Sequence, residues 1–283
     1  HLRRADFLHA AAILVPAPDS ATVNIEYPDA RTIKTILATS KSSRDDGGDA
    51  TDMPLMVAEL NDARKLRIAA NAYGGPIETI ASDLIVGRLL AQNIRHPGIS
   101  HVYSEMLRHD AGSEIYLNEV PELVGRSLTD ITSCFPRAVP LGILRGEGAN
   151  CRASLNPPPS VVIQAGDRLV LLAASFEDVR PLAARETQPV RARAPLERPV
   201  EMLPFRRVLV LGWNHVVPAF IRELDGYADE AFEVDIISLV PKAERLAELA
   251  RFDATPHRTS VRMFEGEYTS LADTTSRSVD VSR

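Results

Sequence analysis

Val208-Leu209-Val210-Leu211-Gly212-Trp213-Asn214-His215 is an apolar run that stops at a glycine and leads into a helical pattern over residues 216–224. That is the strand, turn and helix opening of a dinucleotide-type α/β lobe. A loop that holds a diphosphate needs glycines for the tight turn, for close approach of the backbone to the phosphates and for helix packing. Only Gly212 stands here, and Trp213, Asn214 and His215 put bulk where the phosphates would lie. At the end of the next strand, where an acid would bind a ribose, stand Ser238 and Leu239. The stretch predicts a Rossmann-like lobe with a structural role, and NAD is not expected as a cofactor. His215 reads as a turn histidine and Trp213 as a packing indole.

Working outward, residues 232–240 read as a second strand, 242–251 as a helix and 261–268 as a third strand. Upstream, residues 176–204 are rich in Pro, Arg and Glu, lack either period and read as an inter-domain connection. Before them come short strands at 114–117, 138–144, 151–155, 161–164 and 168–173, with helix expected only within 123–135. That texture is a small α+β module. The first part of the chain alternates strand runs (10–17 and 55–60) with helical patterns (29–40 and 62–73), as parallel βαβ units do. Residues 42–52, with two glycines and several like charges, read as a surface loop. Residues 80–109 read as two helices broken at His96-Pro97-Gly98. The expected organisation is the later half of a Rossmann-like lobe with crossover helices (1–110), an α+β subdomain (111–178), a linker (179–204) and the start of a second Rossmann-like unit (205–283). This order reads as a fragment, or as a chain trimmed at both ends.

The 283 residues carry a formal net charge of -6, with 45% hydrophobic and 25% charged residues, a globular composition. No stretch approaches the roughly 20 apolar residues needed to span a bilayer. Cys134 and Cys151 give neither a disulfide framework nor a zinc spacing, so a reducing cytosol is the expected compartment. The acidic balance and the 5% aromatic content argue against a nucleic-acid partner. Nucleophile elbow, phosphate loop and zinc-protease motifs are missing, so the chain is not expected to be an enzyme. The carboxylates are more informative. Glu59 lies near the carboxyl end of a strand, Asp62 follows it and Asp83 begins the long helix. Ligands collect beyond the carboxyl ends of parallel strands, and an oxygen-only donor set suits Ca2+. Helix capping is the competing reading for Asp62 and Asp83. The acids Asp45, Asp46, Asp49 and Asp52 resemble a calcium loop only loosely, because a bidentate glutamate at the required distance is missing.

Several spaced motifs then assemble: Pro28-Asp29-Ala30-Arg31-Thr32, Val57-Ala58-Glu59-Leu60, Ile85-Val86-Gly87-Arg88-Leu89-Leu90-Ala91-Gln92 and Pro97-Gly98. Downstream stand Pro121-Glu122-Leu123, Phe135-Pro136-Arg137-Ala138-Val139-Pro140, Leu155-Asn156-Pro157 and Ala165-Gly166-Asp167-Arg168-Leu169-Val170. Together with the Gly212-Trp213 turn they resemble the RCK (regulator of K+ conductance) region of CASTOR/POLLUX-type ion channels over nearly the whole chain. The resemblance implies an α/β fold: Rossmann-like RCK lobes, each a parallel sheet with flanking helices, plus a small α+β RCK C-terminal subdomain. It also implies a cytoplasmic, ligand-sensing domain of a membrane protein. In that family tandem RCK units from four subunits form a gating ring beneath a cation pore, and Ca2+ is the ion most associated with its opening. The implied partners are the pore-forming transmembrane module of the same channel and further copies of the chain. The candidate metal ligands Glu59, Asp62 and Asp83 rest on position and chemistry, not on a residue-by-residue match to the family. Two other readings share the fold: a fragment of an NAD(P)-dependent oxidoreductase, and a nucleotide-gated accessory subunit of a TrkA-like potassium transporter.

Overall fold

The structure, a computed structural model, describes residues 2–18, 28–45, 53–108, 112–146, 151–182 and 205–269. The chain divides into two compact units, one built from residues 1–95 and 198–283, the other from residues 96–197.

The first unit contains two parallel half-sheets. Strands β1 (Ala12–Val15), β2 (Leu55–Leu60) and β3 (Ile77–Ala81) lie in the order β1-β2-β3. Helix α1 (Pro28–Asp45) joins β1 to β2, and α2 (Leu66–Tyr73) joins β2 to β3. Alternation in β2 turns Met56, Ala58 and Leu60 inward, all fully buried. Ile36, Ala69 and Tyr73 from the two helices complete this core, and the Tyr73 hydroxyl donates to the Pro54 carbonyl at 2.8 Å. Gly74 ends α2 in the left-handed region (φ 83°), as helix C-termini commonly do. Strand β3 falls where a helix is expected to begin. Ile77 and Ile80 are too few to show a period of two, and Pro76 ahead of them reads as a turn. Helix α1 runs to Asp45 and buries Ser43, so residues 42–45 are helical and not loop as expected. The remainder of that loop, with Asp46, Asp49 and Asp52, lies outside the described residues.

In the second half-sheet β8 (Phe205–Leu211), β9 (Ala231–Ser238) and β10 (Ser260–Glu265) pair in the order β10-β9-β8, all parallel. Helix α6 (Val216–Gly226) joins β8 to β9, and α7 (Lys242–Arg251) joins β9 to β10. Phe220, Ile221 and Leu224 of α6 pack on Phe232, Val234 and Ile236 of β9. Fully burying side chains of this size contributes about 1.5–3 kcal/mol each. Helix α3 (Ser82–Arg95) follows β3 directly and lies against α6. Its Ala91 belongs to the core of the second half-sheet. Gly87 lets the two helices approach: a Cβ there would stand 2.9 Å from the Phe220 backbone nitrogen and 3.1 Å from the Ala219 carbonyl carbon. At the far end of α3, Arg95 bonds Glu230 at 2.9 Å and Asp229 at 2.7 Å, with its guanidinium 4.0 Å from the Tyr227 ring centroid.

The second unit holds α4 (Ile99–Met106) and a four-stranded antiparallel sheet in the order β4-β7-β5-β6. Its strands are β4 (Glu114–Glu119), β5 (Ala138–Arg145), β6 (Arg152–Leu155) and β7 (Arg168–Ala173). Leu169, Leu171 and Ile143 pack on Leu123, Ile131 and Phe135 beneath the sheet. Residues 161–164 do not form the expected strand. Only Val162 pairs, in an isolated bridge with Ser127, because prolines precede this segment and the Gly166 turn (φ 81°) follows at once. The helix expected within 123–135 shrinks to α5 (Leu128–Ile131). Gly125 (φ 86°) interrupts it, and a capping box between Ser127 and Asp130 restarts it. Asp167 fixes the last turn, accepting from the Gln164 amide and from two nitrogens of Arg145 at 2.8 and 2.6 Å.

Candidate functional site

The carboxyl ends of β1, β2 and β3 carry the expected acids, and the local fold explains each position. Glu59 sits on β2, and its Oε2 accepts from the Ala17 amide just beyond β1, at 3.1 Å. Asp62 caps the 3-10 turn Ala63–Lys65 that follows β2, accepting from the Arg64 amide at 3.0 Å. Asp83 is buried in the first turn of α3, accepting from the Leu84 amide at 2.7 Å and from the Ala63 amide at 3.4 Å. A residue not anticipated as part of this edge joins them. Asp29, buried in the first turn of α1, accepts from the Asn61 amide and from Lys65 Nζ, both at 2.8 Å. The signal that could have found it is Pro28-Asp29, a helix start placed after the first strand, opposite Asp62-Ala63-Arg64-Lys65 after the second.

Two cations already serve these carboxylates. Arg64 clamps Asp62 with Nε on Oδ1 at 2.9 Å and Nη2 on Oδ2 at 2.7 Å, and Lys65 lies 3.7 Å from the same carboxylate. Burial works to raise the Asp62 pKa, but its bonds to Arg64 and the charges of Arg64 and Lys65 outweigh that and hold it below the usual range. At Asp83 burial wins and pushes the carboxyl up, with the Asp62 charge adding to it against the Leu84 and Ala63 amides. Arg64 also reaches the second half-sheet. Its guanidinium lies 4.2 Å from the Phe252 ring centroid, and Nη1 donates to the Arg251 carbonyl at the end of α7.

The structure therefore gathers Asp62 and Asp83 with Asp29 around Arg64 and Lys65, while Glu59 is engaged beside β1. Among the described residues no group of three or more His, Cys, Asp or Glu side chains is placed to hold a metal ion. As arranged, the donor set does not fit a calcium cage: both Asp62 oxygens are taken by a guanidinium, and Glu59, Asp62 and Asp83 are each tied to backbone amides.

The corresponding edge of the second half-sheet is closed by side chains. Gly212 (φ 107°) follows β8, and a Cβ on it would stand 3.0 Å from the Tyr268 hydroxyl oxygen. Trp213 Nε1 donates to Glu248 of α7 at 2.6 Å, and His215 is exposed at the start of α6. Arg245 of α7 is fully buried, donating to the Ile236 and Phe264 carbonyls at 3.4 and 3.0 Å, and burial pushes its pKa down.

The human SLO3 gating ring aligns with 96% of this chain and 55% of its own, with a TM-score of 0.61 and 16% identity, a likeness of fold. Sequence similarity is narrower, to the CASTOR/POLLUX ion channels. Residues 83–189 match the family model described as Castor and Pollux, part of voltage-gated ion channel. The probable ion channel CASTOR of Oryza sativa subsp. japonica is 27% identical over 248 residues, 88% of this chain and 26% of that protein. The ion channel POLLUX of Lotus japonicus is 26% identical over 250 residues, again 88% and 26%. The chain thus spans about a quarter of the length of these relatives. Among the described residues no helix is long and apolar enough to cross a membrane.

Proposed function

We propose that this chain is a cytoplasmic regulatory module of a CASTOR/POLLUX-like cation channel, coupled to the pore-forming transmembrane module of the same channel and assembled with further copies into a ring of tandem RCK units. The observation that carries this reading is similarity to channel proteins along 88% of the chain, on an architecture shared with a gating ring. Such a module needs no bond-breaking chemistry. A ligand that binds two ring conformations with different affinity shifts their populations, whereas one that binds both equally shifts nothing.

The ligand proposed is Ca2+, on donor chemistry alone: Glu59, Asp62 and Asp83 supply carboxylate oxygens on the carboxyl edge of a parallel sheet, and because their present arrangement forms no cage, binding requires Arg64 to release Asp62 first. The Arg64 clamp makes the idea testable. Isothermal titration of Ca2+ into chelator-stripped protein, with Mg2+ as control, should give saturable heat with Ca2+ only. Removing the competing guanidinium with Arg64→Ala should tighten that binding several-fold, and Asp62→Asn should abolish it. No heat in wild type and in R64A would remove Ca2+ from this edge and leave the regulatory reading to be tested by channel activity.

A further inference from the structure

The Arg64 guanidinium divides its contacts between the two half-sheets. Nε and Nη2 hold the two oxygens of Asp62 at 2.9 and 2.7 Å, while Nη1 donates to the Arg251 carbonyl and the Phe252 ring centroid lies 4.2 Å from the guanidinium carbon. A guanidinium carries its donors in one rigid plane, so a carboxylate that grips one side of it also decides where the remaining N–H groups and the flat face point. Asp62 is itself fixed: it is buried, and its Oδ1 accepts from the Arg64 amide at 3.0 Å. The turn that Arg64 reaches is the last of α7, where carbonyls have no partner within the helix and the negative end of the helix dipole favours a cation. That cation arrives from 187 residues earlier in the chain. Arg222 of α6 meets the same turn, with Nη1 3.4 Å from the Phe252 carbonyl, but it belongs to the same half-sheet as α7.

We propose that Arg64 is a latch between the half-sheets: Asp62 positions the guanidinium on the end of α7, and a ligand that takes the Asp62 oxygens releases that turn. The state of the charged edge is thereby passed to the second half-sheet without any contact between the ligand and α7. Asp62 acts here as a positioning residue, through Arg64. A carbonyl bond and a stacked ring at a partly exposed guanidinium are each weak by themselves, so the grip on α7 lasts only while the two-nitrogen clamp holds the guanidinium in place. This inference goes beyond the regulatory reading and stands whether or not the ligand is Ca2+.

Trp213, the single tryptophan of the chain, reports on that turn. Its Nε1 donates to Glu248 at 2.6 Å, and the Glu248 carbonyl accepts from the Phe252 amide at 2.9 Å. In the chelator-stripped full chain, Arg64→Ala should move the native tryptophan emission to longer wavelength, toward the value given by Glu248→Ala, in which the indole has lost its tie to α7. Asp62→Asn keeps a capping side chain ahead of the 3-10 turn but loses the charge and one oxygen, and it should move the emission in the same direction. The double variant D62N/R64A should go no further than R64A, and R64A placed in E248A should add nothing. Should Asp62→Asn fail to fold, Asp62→Ser, also a good cap, takes its place. A residue that only stabilised the fold would shift the urea midpoint and leave the native emission where it is, so unchanged emission in R64A would overturn the proposal. So would a shift in R64A with none in D62N, or shifts that add in the double variant, since Arg64 would then hold α7 without Asp62.

Discussion

At the carboxyl edge of β1-β2-β3, Asp29, Asp62 and Asp83 gather with Arg64 and Lys65, with Glu59 engaged beside β1, whereas at that of β8-β9-β10 Trp213, Tyr268 and the buried Arg245 take the space. The scaffolds are alike: three parallel strands, two crossover helices and an apolar core on one face. The difference teaches that a half-sheet can keep its geometry while its edge changes from paired charge to fixed packing. At the charged edge a ligand would have to compete with Arg64 and Lys65 for the buried carboxylates. At the packed edge it would have to displace an indole and a phenol.

The comparison depends on the two half-lobes being held together, and Gly87 is where it can be broken most severely. Gly87→Leu would force a side chain into the backbone of α6, where even a Cβ has no room. Overpacking of this kind costs about 3 kcal/mol. Urea unfolding should show that loss, whereas Gly226→Ala, with nothing within 4 Å of its Cβ, should lose well under half as much. Equal losses would mean that the α3–α6 contact does not hold the half-lobes.

Much of the scaffold was legible because burial periods are local. Strand β2 matches its expected bounds, and the β8 turn and α7 were found from apolar runs and a single glycine. Strand β3 was not legible, since its five residues carry only two large apolar side chains and its pairing with β2 is a tertiary fact. The acids at the first edge were legible as positions, through strand ends and helix starts. Their partners were not. That Arg64 would fold back on Asp62 and also lie on Phe252, far along the chain, depends on how the half-lobes meet and on no spacing in the sequence.

Arg64 sharpens the comparison, because it belongs to the charged edge and touches the packed lobe. Arg64→Ala should cost about 1 kcal/mol in urea unfolding: it leaves the buried Asp62 with Lys65 alone and removes the stack on Phe252, while a side chain about a third exposed is partly screened by solvent. Arg64→Lys should recover only part of that loss, since an ammonium cannot make the two-nitrogen clamp. Full recovery by lysine would reduce the contact to simple charge.

The smallest expected effect separates Asp62 from Asp83 by the sign of its pH dependence. Burial raises the folded pKa of Asp83, so between its unfolded and folded values the native state holds more protons, and stability falls as pH rises across that window. Asn cannot titrate, so Asp83→Asn should match wild type at low pH, where both are neutral, and exceed it in stability above the folded pKa. Asp62 is lowered by Arg64, so its stabilisation is present above the unfolded value and lost as pH falls through the folded one. Asp62→Asn should therefore be less stable than wild type at neutral pH and converge with it in acid. Urea midpoints of both variants from pH 3 to pH 7 would show the two curves parting in opposite directions. Parting in the same direction would mean that Asp62 and Asp83 titrate as one coupled pair, and the contrast between the edges would then rest on total charge instead of on which carboxylate Arg64 holds.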